Sequence, residues 1–163
     1  MTFTVRRART SDAESIASLY KLFWTHEQPL DPLIKLRKKF TLAEHTAWVK
    51  RDLRNKNIIL FVAEDITDKR KNDIAGFLEL SIDKNPAWFK QRLFGHINTA
   101  IVHPKHRGKG ILRALTNAAL AELKKRNVKT CRLIVYINNT DAIRAWEKIG
   151  FHAISLKMTK NVQ

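Results

Sequence analysis

The stretch Ile101–Leu112, IVHPKHRGKGIL, constrains this chain more than any other: an apolar strand runs into a basic, glycine-punctuated turn that opens directly into a helix. Pro104 stops the strand after Val102, and Ile111 begins an apolar repeat at helical spacing through Leu115, Ala118, Ala119 and Leu123. The start of a helix presents main-chain N–H groups without acceptors and the positive end of a dipole, a ready site for phosphate oxygens. Gly108 and Gly110 let a bulky anion approach the main chain, and Lys105, Arg107, Lys109 and Arg113 surround it with positive charge.

Upstream, Thr2–Arg9 predicts a first strand. Ser11 predicts the start of a helix, with Glu14 completing a capping box and Ile16, Leu19, Tyr20 and Phe23 at helical spacing. Thr41 and Glu44 predict a second box, opening a helix that runs to about Lys56 past Trp48 and Leu53. Between them, His26–Phe40 carries two prolines and reads as a loop or short helix. From Asn57 the pattern turns to strands: IILFVAEDI, a polar hairpin around TDKRKND, IAGFLELSI, a break over Asp83–Arg92, and FGHINTAIV leading into the glycine turn. After the helix come the strand CRLIVYI, a helix over Asn139–Ile149 stopped by Gly150, and a closing strand FHAISLKMT. This order fits one mixed sheet flanked by helices, an α/β (α+β) class, with residues 1–163 as a single domain and no internal repeat or linker.

A chain of 163 residues that is 44% hydrophobic and 28% charged can bury a sizeable core, which excludes a disordered chain. No apolar run approaches the ~20 residues of a membrane span, and MTFTVRRART lacks a signal peptide's apolar core, so a cytoplasmic protein away from membranes is expected. The single Cys131, set in an apolar run, cannot form an internal disulfide and reads as a small core residue. The net charge of +16 favours acidic or polyanionic surroundings. Its positives are nevertheless spread over residues 35–39, 69–71, 90–92, the glycine turn and 124–129, so a solvated basic surface and a specific anionic partner both fit. Without interleaved aromatics, nucleic acid is not the favoured partner.

Several chemistries are disfavoured. The turn lacks the Lys-Ser/Thr pair of a P-loop, and its glycines do not follow the first strand of a dinucleotide fold. His103 and His106 have no cysteine or carboxylate neighbours in sequence, so no metal is expected, and no serine sits in a nucleophile elbow.

A second segment, Asn139–Phe151, NTDAIRAWEKIGF, follows the turn after one intervening strand. Together the two resemble the acetyl-CoA-binding signatures of the GNAT superfamily of N-acetyltransferases. The first, R/Q-x-x-G-x-G/A, is matched at Arg107 and Gly110 and departs at Leu112; the second is matched by Asn139, Ala142, Trp146, Gly150 and Phe151. The resemblance implies a mixed, mostly antiparallel sheet of six to seven strands flanked by about four helices. It also implies transfer of an acetyl group from acetyl-CoA to a primary amine, on a small molecule in preference to a protein N-terminus or lysine. The main-chain N–H groups of Arg107, Gly108, Lys109, Gly110, Ile111 and Leu112 are then expected at the pyrophosphate, and the main chain at Ile101 and Val102 along the pantetheine arm. Asn139 serves that arm, caps its helix, or does both. Leu112 either crowds the pyrophosphate or points back into the helix packing. The family also allows a homodimer, for which the sequence names no residue.

An alkyl amine with a pKa near ~10 must lose a proton before it attacks the thioester. Alternation along FGHINTAIV predicts His96, Asn98, Ala100 and Val102 on one face. Many family members carry a glutamate where Asn98 stands, and asparagine is no base; Glu79, on the preceding strand, and His96 are the replacements, Glu79 slightly ahead. Trp146 holds the position of the tyrosine that commonly protonates the departing thiolate. It orients the sulfur, packs on the cofactor, or is core, and a thiol of pKa ~8.5 leaves without a dedicated acid. A second reading, a non-catalytic module of the same fold binding an anionic partner such as RNA or the ribosome, rests on the missing glutamate and tyrosine and on the high charge.

Overall fold

The structure, a computed structural model, describes residues 2–30, 41–67 and 73–160. The charge runs at 35–39 and 69–71, most of the predicted polar hairpin and the second half of the proline-containing segment lie outside the described residues.

Strand β1 (Phe3–Arg7) leads through a short 3-10 turn (Thr10–Asp12) into helix α1 (Ala13–Glu27), and a 3-10 turn at Gln28–Leu30 ends that segment. Helix α2 (Leu42–Arg54) precedes β2 (Ile58–Asp65), β3 (Asp73–Lys84) and β4 (Leu93–Val102). A 3-10 turn at Pro104–His106 leads to α3 (Ile111–Lys125), followed by β5 (Cys131–Leu133) and α4 (Thr140–Glu147). The α2 capping box is as predicted: Thr41 Oγ1 accepts from the Glu44 N–H at 3.2 Å, and Glu44 Oε2 accepts from the Thr41 N–H at 2.7 Å. At α1 the predicted Ser11/Glu14 box is not what closes the helix. Asp12, fully buried, accepts from the Arg9 N–H at 2.6 Å and takes both terminal nitrogens of Arg6 at 2.7 and 2.9 Å. A buried carboxylate that can meet a guanidinium end-on, with two parallel hydrogen bonds, outcompetes an exposed serine for this position.

The five strands form one sheet in the order β1-β2-β3-β4-β5, antiparallel except for the parallel β4–β5 pair. Alternation along β2 divides the core. Ile59, Phe61 and Ala63 face α3 with Leu78, Leu80 and Ile97, meeting Ile111, Leu115, Ala119, Leu123 and Trp146 of α4. Leu60 and Val62 face the other way with Phe77 and Ile101, against Ile16, Ala17, Leu19 and Tyr20 of α1 and Val49 of α2.

Two expectations need correction. The sheet has five strands among the described residues, not six to seven, because FHAISLKMT belongs to no strand and CRLIVYI is paired only over Cys131–Leu133. An extended segment becomes a strand only where another edge receives its N–H and C=O groups, and among the described residues none does so for residues 152–160. The predicted face of β4 is also broken. Glu79 is opposite Thr99 and Leu80 is opposite Ile97, leaving Asn98 as the extra residue of a bulge. Beyond it the alternation inverts, so Ala100 and Val102 pack with Ile97 on the α3 side rather than beside Asn98.

Candidate active site

The bulge turns two consecutive side chains, Asn98 and Thr99, toward the α1 side, where Glu79 is buried at 6% exposure in the middle of β3. The Tyr20 hydroxyl donates to Glu79 Oε2, Asn98 Nδ2 donates to Oε1 at 3.0 Å, and the Thr99 hydroxyl donates to the Tyr20 oxygen. Ser81 Oγ lies 3.4 Å from Asn98 Oδ1 and fixes the orientation of the amide. Burial is the largest influence on Glu79 and pushes its carboxyl above the ordinary range, with the charge of Asp52 adding to the rise; the Tyr20 and Asn98 donors pull the other way. Burial, then the neighbouring Glu79 charge, pushes the Tyr20 phenol up, so Tyr20 stays protonated and remains a donor. Each carboxylate oxygen thus has one donor and a further acceptor position.

Of the three catalytic candidates, the structure brings Glu79 and Asn98 together and leaves His96 apart. His96 Nδ1 lies 3.4 Å from Asp83 Oδ2, toward the hairpin end of the β3–β4 ladder. Sequence reading placed Tyr20 only in the apolar stripe of α1 and did not single out Asp52, Thr99 or Ser81. One signal was available: a phenol in an apolar stripe and a glutamate in the apolar strand FLELSI each need a polar partner once buried.

β5 covers β4 only at Gly95, His96 and Ile97. From Asn98 to Val102 the β5 side of β4 has no paired strand among the described residues, so its main-chain groups on that side have no strand partner there. At the end of β4, His103 N donates to Ala75 O at 2.8 Å, and His103 Nδ1 accepts from Lys105 N at 3.3 Å, which starts the 3-10 turn. Gly108 and Gly110 have φ of +75° and +78°, where a side chain is strained, and the space a Cβ would take is open to 4 Å at both. Gly110 caps α3, so the N–H groups of the first turn, from Ile111 on, point into that open space without intrahelical acceptors. Lys109 Nζ folds back onto Lys105 O at 3.2 Å and Arg107 Nε onto Val102 O at 3.4 Å. An open, positively charged cradle of main-chain donors fits a diphosphate.

The remaining candidates divide. Leu112 packs against the α3-side core and does not crowd the cradle. Arg113 is engaged with the C-terminal end of α4, donating to Lys148 O at 2.6 Å. Ile101 is buried toward α1, while Trp146 is core, edge-on to Phe151 at 5.3 Å between ring centroids. Asn139 caps α4, its Oδ1 accepting from Ala142 N at 3.2 Å, and its amide also hydrogen-bonds Glu27 at the end of α1. Burial pushes the Glu27 carboxyl up, with His26 and Asn139 opposing. The Cys131 thiol, half-buried, is pushed up to about 11 by burial, which makes it a poor nucleophile. No cluster of three metal-ligating side chains occurs among the described residues, and no helix there is long and apolar enough to cross a membrane.

Comparison with known proteins finds relatives in sequence and neighbours in fold. A mycothiol acetyltransferase of Thermobispora bispora is 42% identical over 57 residues, 35% of this chain and 19% of that protein. An uncharacterised N-acetyltransferase of Methanocaldococcus jannaschii is 30% identical over 92 residues, 50% of this chain and 41% of that one. The chain therefore spans less than half the length of these curated relatives. Among solved structures, a tetramutant of a Bacillus halodurans protein superposes with a TM-score of 0.83 at 18% identity, over 98% of this chain and 99% of that one. The aminoglycoside N-acetyltransferase AAC(6')-Iy in complex with CoA superposes with a TM-score of 0.78 at 15% identity, over 99% of this chain and 95% of that one. At these identities the likeness is one of fold. The model of the acetyltransferase (GNAT) family matches residues 14–151, which takes in both signatures, the cradle and the Glu79 network, and the chain belongs to that family.

Proposed function

We propose that the protein transfers an acetyl group from acetyl-CoA to a primary amine by direct attack, with Glu79 as the base. The observation that carries this reading is the buried Glu79 carboxylate held by Tyr20 and Asn98 beside the uncovered stretch of β4. Acetyl-CoA supplies the activated acyl group as a thioester. The main-chain N–H groups from Arg107 to Leu112 hold its diphosphate, and the main chain at Ile101 and Val102 with Asn139 aligns the arm along the stretch of β4 that β5 leaves uncovered. Glu79, with its carboxyl raised by burial, is a stronger base than an exposed carboxylate and takes the amine proton on an acceptor position that Tyr20 and Asn98 leave free. Main-chain donors of β4 beyond the bulge are positioned for the developing oxyanion. Trp146, enclosed in the core, leaves the thiolate to depart on its own acidity, as a pKa near ~8.5 allows.

The acceptor is a small molecule carrying a cationic amine. The net charge of +16 opposes such a substrate, but the α1–α2 side of the sheet is locally acidic: Glu27, Asp52 and Glu79 are all buried there. A structural neighbour has been solved with a bisubstrate analogue of an aminoglycoside amine, which supports a small acceptor. Calorimetric titration with acetyl-CoA, followed by a screen of amines for thiol release, tests the proposal. Binding and turnover are expected. Salt-sensitive RNA binding without turnover would overturn it and favour the non-catalytic reading.

A further inference from the structure

One end of the sheet carries a pattern that neither the cradle nor the Glu79 network uses. Strands β3 and β4 are joined through Asn85–Arg92, and the connection is held from within. Asn85 N donates to Arg92 O at 2.8 Å, Asn85 Nδ2 to Gln91 O at 2.8 Å, Phe89 N to Pro86 O at 3.1 Å and Arg92 Nη1 to Ala87 O at 3.3 Å. The polar groups are thus spent on one another, and the tip is left apolar. Trp88 is 83% exposed and Phe89 51%, with Pro86, Ala87 and Leu93 exposed beside them. Single surface hydrophobes are ordinary, whereas two adjacent aromatics on an ordered hairpin tip form a contiguous apolar knob.

The knob is flanked by cations. Lys84, Lys90 and Arg92 belong to the hairpin, and all three are exposed. Two more exposed cations come from the segment around β5. Gln91 Nε2 donates to the Thr130 hydroxyl and Gly95 N to Thr130 O at 2.8 Å, which brings Lys129 alongside, and the Arg132 guanidinium lies 4.3 Å from the centre of the Phe94 ring. No acidic residue occurs between Asp83 and Glu122. Those two are engaged elsewhere: Asp83 lies 3.4 Å from His96, and Glu122 pairs with Arg7 and Arg126, each at 2.7 Å. The ten residues of β4, on the order of 30 Å of strand, separate this end from the cradle.

Apolar depth and dense positive charge on one tip fit one kind of surface. The centre of a protein interface is depleted in charge, and single-stranded nucleic acid stacks on aromatic platforms. Among the described residues neither Trp88 nor Phe89 contacts another aromatic ring. An anionic bilayer meets both requirements, since aromatic rings settle at the headgroup boundary while Lys and Arg extend to the lipid phosphates. We infer that the Asn85–Arg92 hairpin attaches the protein to anionic membrane surfaces, seating Trp88 and Phe89 at the boundary between headgroups and acyl chains and pairing Lys84, Lys90, Arg92, Lys129 and Arg132 with lipid phosphates. No helix among the described residues is long and apolar enough to cross a membrane, and attachment of this kind needs none. None of these residues belongs to the cradle or to the Glu79 network, so the attachment is independent of which amine is acetylated.

Vesicle flotation tests the surface, and tryptophan quenching tests the tip. The parent protein is expected to float with vesicles of equal parts phosphatidylcholine and phosphatidylglycerol at physiological salt, and not with phosphatidylcholine alone. The W88S/F89S double variant keeps every charge and alters only exposed positions, so it is expected to keep the parent's unfolding midpoint and to partition at least ~10-fold more weakly. Lys90→Gln is expected to weaken partitioning about 5-fold. Phosphatidylglycerol brominated in its acyl chains is expected to quench the emission of the parent protein and not that of Trp88→Phe. Failure to float, a double variant that floats like the parent, or quenching that survives in Trp88→Phe would overturn the inference. Two further results would give the tip another occupant and overturn it equally. One is a parent protein that ignores vesicles and sediments as a dimer, with W88S/F89S a monomer; the other is polyuridylate binding that W88S/F89S abolishes while vesicle binding stays.

Discussion

The cradle at Pro104–Gly110 and the network around Glu79 are reached from the same strand, β4, yet they are built from different materials. The cradle is main chain: two glycines at positive φ and the first turn of α3, all within one contiguous stretch of sequence. The network is side chain: Tyr20 from α1, Glu79 from β3, and Asn98 with Thr99 from the bulge in β4, with 59 residues between the phenol and the carboxylate it meets. An anion site made of main-chain dipoles tolerates almost any side chain that does not fill it. A proton site made of side chains fails when one atom is changed.

The largest effect that sharpens this contrast is expected from Glu79→Gln. The amide keeps the shape and one acceptor but cannot take a proton, so kcat/KM falls by ~10²–10⁴-fold. The calorimetric Kd for acetyl-CoA is expected to stay at its parent value, because Glu79 lies outside the cradle. An equal loss of cofactor affinity would show that the two regions are one site.

Gly110→Glu is the counterpart. It places a β-carbon at φ +78° and a negative charge where the diphosphate is expected, and it is expected to weaken acetyl-CoA binding ~100-fold, about 2.7 kcal/mol. Isolated Glu79 behaviour, such as the pH dependence of thermal stability, is expected to be unaltered.

These two regions also mark how far the sequence could be read. The cradle was legible because every part of it is local: a strand end, a proline, two glycines and an apolar helical repeat. The capping box of α2 was legible for the same reason. The identity of Glu79 as a buried carboxylate was within reach, but its partner Tyr20 was not, since nothing in the spacing of α1 says which strand its apolar stripe will meet. Strict alternation along β4 misplaced Ala100 and Val102, because a one-residue bulge reverses the faces and leaves no mark in the composition of FGHINTAIV. The segment FHAISLKMT was expected to close the sheet as a strand and belongs to none, because pairing depends on a partner edge that the segment itself does not encode.

A pH series tests the side-chain region alone. The groups facing Glu79 are Tyr20, Asn98 and Asp52, and burial raises the carboxyl above its ordinary value. With Glu79 as the proposed base, activity needs the ionised form, so the acidic limb of kcat/KM is expected above the ordinary carboxyl range of ~4.3. Tyr20→Phe removes a donor to the carboxylate and moves that limb to higher pH, while Asp52→Asn removes a like charge and moves it lower. The stability linkage has the opposite sense. With the folded pKa above the unfolded one, the folded state binds the extra proton, so stability falls as pH rises from the unfolded value through the folded one. Glu79→Gln is expected to flatten the unfolding free energy across that window in urea titrations. A limb that stays put in both neighbour variants would remove Glu79 from the role of base.

The smallest expected effect bears on the cradle. Lys105 and Lys109 are exposed, and Lys109 Nζ is turned back onto the carbonyl of Lys105, away from the first-turn N–H groups of α3. If the main chain does the binding, Lys105→Ala and Lys109→Ala should each raise the Kd for acetyl-CoA no more than ~3-fold at 0.15 M salt, where exposed charges are heavily screened. The difference from the parent protein should shrink further at 0.5 M salt. A loss from either lysine approaching that of Gly110→Glu, and persisting at high salt, would mean that the turn grips its anion through side chains after all. The two regions would then differ only in where their side chains come from, and the openness around Gly108 and Gly110 would need another explanation.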